Sequence, residues 1–187
     1  SPVNAVFENS IVTDNSAAAG GGISIWRVFG PTLSNLIIQE NTSEKYGGGL
    51  MIFTAVASVT DVTVSGNNCN TDDSFGGGII MNYSEATLTN LTVTDNTASF
   101  GGGVSVSNSD ATLTHVTISG NTATTSGGGF LSSPFSNNTL TNSIIWDNGP
   151  ESILAFTTTT ISYSNIQGGC VSKGNIDADP LFCRPDS

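Results

Sequence analysis

The chain has 187 residues and a formal charge of −11, with only four Lys and Arg against fifteen Asp and Glu. A surface so poor in cations would repel nucleic-acid phosphates and anionic lipid headgroups, which excludes both as partners. Charged residues make up 10% and hydrophobic residues 37%, spread evenly along the length, so the chain is neither disordered nor membrane-inserted: no apolar run approaches the roughly 20 residues of a spanning helix.

In chain order, Ser1-Pro2-Val3 does not resemble a signal peptide, and the chain enters its first strand-like segment almost at once. The beginning therefore reads as a mature product or an excised fragment, with a first strand that lacks a cap and invites pairing. The segment from Phe7, FENSIVTDN, is followed in register by LSNLIIQEN from Leu33, VTDVTVSGN from Val59, LTNLTVTDN from Leu88, LTHVTISGN from Leu113 and LTNSIIWDN from Leu140. A weaker ISYSNIQGG starts at Ile161. Each of the first six ends on an asparagine: Asn15, Asn41, Asn67, Asn96, Asn121 and Asn148. A variable turn follows, and then, in the first five, a glycine triplet beginning at Gly20, Gly47, Gly76, Gly101 or Gly127, with steps of 27, 29, 25 and 26 residues. An alternating segment such as Val104-Ser105-Val106 completes the unit.

A period of about 26 residues without a helical stripe is too short for a four-stranded propeller blade and does not suit helical solenoids. The expectation is an all-β, right-handed parallel β-helix of about seven coils in one domain over 1–187, closed by the segment 170–187. Leu88, Leu113 and Leu140 should stack inward, as should Val64, Val93, Ile118 and Ile145. The asparagines should stack at an inward corner, and the glycines should serve a positive-φ turn or a close backbone approach.

The asparagine, small residue and GG[GA][ILV] succession, in Asn15-Ser16-Ala17 to Gly22-Ile23 and Asn96-Thr97-Ala98 to Gly103-Val104, resembles the repeats of polymorphic outer-membrane proteins and related β-helix proteins. The ending Asn175-Ile176-Asp177-Ala178-Asp179-Pro180 resembles the segment that closes such helices. That group includes adhesins, surface-layer components and carbohydrate-active enzymes, so the resemblance implies a fold more sharply than a function.

Cys170 and Cys183 bracket the last segment and are the candidate disulfide, which points to an extracellular or cell-surface setting. No nucleophile-and-base constellation is visible, and the chain leans away from enzymes. The carbohydrate alternative rests on Asp14 and Glu40, one rung apart in the column preceding the asparagines, where paired carboxylates could act as acid and base. The competing reading is a solvated acidic turn. His115 falls in a polar column with Asn35, Asp61, Asn90 and Asn142. Calcium is the one cofactor the oxygen-rich loops suggest, at Asp72 and Asp73 or at Asp177 and Asp179, although neither site matches a calcium-loop signature. Sequons place possible glycans on Asn41, Asn82, Asn90 and Asn137. Thr63-Val64-Ser65, Thr92-Val93-Thr94 and Thr117-Ile118-Ser119 form a short hydroxyl ladder resembling those of ice-binding solenoids, interrupted by Ile11, Ile37 and Ile144. The leading expectation is a structural or adhesive extracellular solenoid, with surface glycans or further copies of itself as partners and end-to-end filaments as one outcome.

Overall fold

The computed structural model describes residues 5–156, 158–170 and 172–182. Its strands, all parallel, form three sheets that run the length of a coiled chain. The long sheet holds seven rungs, beginning with Val6–Thr13, Phe29–Gln39, Val56–Ser65 and Glu85–Thr94. In its last three rungs the strand is split: Asp110–Thr114 with Thr117–Ser119, Asn138–Thr141 with Ile144–Trp146, and Thr159–Ser162 with Asn165–Ile166. The second sheet stacks Ser16–Ala19, Thr42–Tyr46, Asn68–Cys69, Thr97–Phe100 and Thr122–Ser126. The third stacks Ile23–Trp26, Leu50–Phe53, Ile79–Asn82, Val104–Ser107, Phe130–Ser132 and Ile153–Ala155.

The architecture is a parallel β-helix of six turns. The expected seventh coil contributes only long-sheet strands; the third sheet ends in the sixth coil and the second in the fifth, since Gly149 of the sixth makes only an isolated bridge to Thr122. The register follows the sequence alignment: Phe7, Leu33, Val59, Leu88, Leu113, Leu140 and Ile161 are successive partners. So are Val64, Val93, Ile118 and Ile145. Alternation puts these side chains inside, and from Leu33 onward they are at most 4% exposed. The third sheet adds Ile52, Met81, Val106 and Phe130, so the core is one continuous apolar column. Each fully buried Leu or Ile stabilises the fold by about 1.5–3 kcal/mol relative to exposure.

Closing a coil requires corners, and each corner is a single residue with left-handed backbone. Asp14, Glu40, Asp95 and Asp147 lie at φ between 54° and 58°, with Gly66 and Gly120 taking the same place in their coils. A second corner carries Asn35, Asp61, Asn90, His115 and Asn142, and a third carries Thr54, Tyr83, Asn108 and Phe135. Asn, Asp and Gly are the residues that adopt this region at least cost. The glycine triplet supplies the fourth corner and also a close approach. Gly101 has φ 64°, whereas a Cβ on Gly102 would lie 2.4 Å from the Thr122 carbonyl oxygen and one on Gly103 2.6 Å from that of Gly129.

Next to the acidic corner stands the asparagine ladder. The backbone N–H of Asn96 and its Nδ2 both donate to Oδ1 of Asn121, at 3.0 and 2.9 Å, and Nδ2 also donates to the carbonyl of Val64 at 2.9 Å. One side chain thereby joins three successive rungs. The same pattern recurs at Asn41, Asn67 and Asn121, all at most 1% exposed. At the C-terminal end, Asn175 takes a related part: its Oδ1 accepts from the Ser164 N–H and its Nδ2 donates to the carbonyls of Ile161 and Cys170.

Removing one buried amide leaves its neighbours' polar groups unpaired, so Asn96→Ala should destabilise the fold by roughly 2–4 kcal/mol, read as a lower urea midpoint. Asn15→Ala, at the exposed end of the same ladder, should cost well under half of that.

Candidate functional site

The residues expected to carry chemistry are distributed by the corner geometry. Asp14 and Glu40 occupy consecutive left-handed corners and are both exposed. Asp14 Oδ2 accepts from the Thr13 hydroxyl at 3.0 Å, which is turn chemistry. The next corner in the column is Gly66, so no third carboxylate extends the pair. His115 is an exposed corner residue in a column where Asn90 Nδ2 donates to Asp61 Oδ1 at 3.0 Å.

Asp72 and Asp73 lie exposed in the turn that lengthens the third coil, and Asp177 and Asp179 are exposed near the C-terminal end. Asp179 Oδ1 accepts from the Leu181 N–H at 2.9 Å. Among the described residues no three His, Cys, Asp or Glu side chains gather as a metal-binding group. Of the four sequons, Asn41 requires correction as a glycan acceptor. Its side chain has 0% exposure, and Nδ2 donates to Val12 O, Gln39 O and Asn67 Oδ1, so the folded chain offers no free amide there. Asn82 is half-buried, while Asn90 and Asn137 are exposed. Cys183 lies outside the described residues, and the expected bridge to Cys170 lies there with it.

A different place brings chemistry together. Between the third and long sheets, the corner column Thr54, Tyr83, Asn108 and Phe135 faces the column Phe29, Val56, Glu85, Asp110 and Asn137 across a groove of about 440 Å³. The floor is made of Ala55, Ser84 and Ser109, each at most 5% exposed. Buried serines persist there because each hydroxyl accepts a backbone N–H from the rung before: Ala55 to Ser84 at 3.1 Å, Ser84 to Ser109 at 2.9 Å, and Ser109 to Ser136 at 3.2 Å. This serine ladder holds the floor at backbone height while the rims project.

The rims are aromatic and acidic. Phe29, Tyr83 and Phe135 are 56%, 61% and 84% exposed. Tyr83 packs edge-on against Phe53 at 6.2 Å, and Phe53 packs edge-on against Trp26 at 5.5 Å, so the tyrosine is braced from outside the groove. On the opposite rim, Asp110 Oδ1 accepts from the Asn137 N–H at 2.8 Å and from its Nδ2 at 3.3 Å, which orients both side chains. Among the described residues no Lys or Arg lines the groove. Five rungs contribute, giving a length of about 19 Å along the axis.

These rim residues escaped the sequence reading because they belong to no regular word. Phe135 stands one residue further from its glycine triplet than Thr54, Tyr83 and Asn108 do from theirs, and the positive-φ column is what puts it in line with them. The available signal was the recurrence of aromatics at or shortly after the ends of the third-sheet strands: Trp26 and Phe29, Phe53, Tyr83 and Phe135.

A family model described as "Right handed beta helix region" matches residues 2–167. The chain belongs to this family. The right-handed parallel β-helix is thus its fold, with the three-sheet coil described above as its unit. No curated protein matches the chain.

Inside this right-handed β-helix, Cys69 occupies the second-sheet core, 4% exposed, with Sγ 3.0 Å from the Ser43 hydroxyl and 3.5 Å from the Gly76 carbonyl. Burial pushes its thiol above the ordinary cysteine range, against a smaller lowering by the Ser43 and Gly48 hydrogen bonds. Because the folded state holds this proton more tightly than the unfolded chain, the associated stability is present below the usual thiol range and is lost as pH rises through the raised value. Cys69 should therefore resist iodoacetamide at pH 8 while folded and react fully in urea, as mapped by peptide mass spectrometry.

Proposed function

We propose that the chain is an extracellular adhesive β-solenoid that holds a neutral glycan in the groove between Tyr83 and Glu85. The observation that carries this reading is the pairing of exposed aromatic rims with oriented carboxylate and amide groups. Aromatic faces cover the apolar C–H side of a sugar ring, and carboxylates and amides accept and donate to its hydroxyls. With Glu85 and Asp110 on one rim and no cation among the described lining residues, an uncharged saccharide is favoured over a uronate or sulfate. Binding is the reading adopted for the site: Glu85 and Asp110 are exposed partners on adjacent rungs, and Asp110 Oδ1 is already held by the Asn137 N–H and Nδ2, which suits a pair that holds sugar hydroxyls. An acidic, cation-poor surface also suits a secreted or cell-surface scaffold.

A glycan array followed by calorimetry tests the reading. Neutral oligosaccharides should bind, and Tyr83→Ala or Phe135→Ala should each weaken binding by about 1–2 kcal/mol, roughly 5–30-fold, with unchanged circular dichroism. Binding to acidic glycans alone, or affinity indifferent to both substitutions, would remove the groove from the proposal.

Self-association is a second reading, supported by the first rung, where Val6, Phe7 and Ile11 are 61%, 41% and 65% exposed along a sheet edge that no other described strand pairs. A second copy, or coils of a longer chain, would satisfy that edge. Sedimentation velocity should show concentration-dependent association that Ile11→Pro diminishes, since the N–H at this position faces the preceding rung in later coils, as Ile144 donates to Val116. A single monomeric species at every concentration would exclude it.

A further inference from the structure

The outward surface of the long sheet carries a second feature, distinct from the groove. Strand pairing places Thr32, Ser58, Thr87, Thr112, Thr139 and Thr160 in one column. Two residues on, Ser34, Thr60, Thr89, Thr114, Thr141 and Ser162 form a parallel column. Every position in six consecutive rungs is thus a hydroxyl, and the register has no shift from Thr32 onward. Threonine is common on exposed strands, so its presence alone decides little. The same sheet supplies the contrast. Beyond the Asn35–Asn142 corner, the column through Thr63, Thr92 and Thr117 is broken by Ile37 and Ile144, and the one through Ser65 and Thr94 by Gln39 and Trp146.

The hydroxyls in the two complete columns have no hydrogen-bond partner among the described residues, although the chain uses serine hydroxyls repeatedly for internal ladders at Ser84, Ser109 and Ser143. The twelve positions contain no charge and no side chain longer than threonine. Rungs repeat at about 4.8 Å along the axis, and the two columns stand about 6.7 Å apart across it. The result is a two-dimensional hydroxyl lattice about 24 Å long, held in register from within by the asparagine ladder.

We propose that this face binds ice. Its repeats lie near those of the oxygen lattice of hexagonal ice, so hydroxyls fixed in two directions can anchor waters in crystal-like order. The threonine γ-methyls between them limit competing disorder in the bound layer. An extended lattice of fixed waters is the ligand to which such uniformity matters; a glycan needs a few directed contacts, and those lie in the groove. Glu85 and Asp110 border the array at one side and mark where it ends, because charged groups hold water in orientations that do not fit a neutral lattice.

The test is nanolitre osmometry with microscopy of single ice crystals, together with partitioning of the fluorescently labelled chain into a growing ice hemisphere. The chain as it stands should shape crystals, lower their growth temperature below the melting point and enter the ice. Thr114→Lys, at the middle of the array, should abolish all three while retaining the parent melting curve by circular dichroism. Tyr83→Ala in the groove should keep them. Absence of crystal shaping and of ice partitioning in the parent chain overturns the proposal. Full activity in a folded Thr114→Lys variant removes it from this face.

Discussion

The structure depends on one repeated arrangement: a buried asparagine amide that satisfies two rungs besides its own. A β-helix turns its chain several times per coil, and every turn interrupts the inter-rung hydrogen bonding that strands provide. At the second-sheet corner the Asn96 side chain supplies what the backbone loses there, donating to Val64 on one side and Asn121 on the other. The third glycine of each triplet is constrained by the same amide, since a Cβ on Gly78 would lie 3.0 Å from Asn96 Nδ2. Two markers that look separate in the sequence are therefore parts of one contact, which explains why they keep the same phase.

Register and core were legible because they follow from this phase together with strand alternation. Aligning the asparagines aligns Leu88 with Leu113 and Val93 with Ile118, and inward direction follows from counting by two. Rung-to-rung stacking needs only that correct alignment, without any knowledge of the coil's cross-section. The number of turns was nearly legible as well; the sixth coil has no second-sheet strand because Gly149-Pro150 stand where earlier coils carry pairs such as Thr42-Ser43 and Thr97-Ala98, and proline has no N–H to give the ladder.

The site was less visible, for a physical reason. Corners are left-handed single residues, and such a residue announces itself in sequence only when it is Gly, Asn or Asp. The acidic column therefore stood out, although its regularity reflects backbone conformation at Asp14, Glu40 and Asp95 as much as chemistry. The third corner accommodates Arg27, Thr54, Tyr83 and Phe135, residues that pay a larger conformational cost of about 1–2 kcal/mol each and leave no recognisable pattern. Residues retained at a position that disfavours them are the better candidates for binding. The complete hydroxyl columns were overlooked for the opposite reason: Thr-x-Thr on a strand looks ordinary until six rungs are set side by side.

The asparagine ladder also bears on mechanics. Backbone hydrogen bonds between rungs lie nearly parallel to the solenoid axis, so a pull along that axis would load one coil boundary at a time and the chain would peel from an end. A shear across the axis would instead load all seven rungs of the long sheet together. An amide that reaches across three rungs spreads an axial load over two boundaries, making the coil bearing Asn67, Asn96 or Asn121 harder to detach than either end. Anchored by its flank, such a rod would resist force far better than one held by its tip.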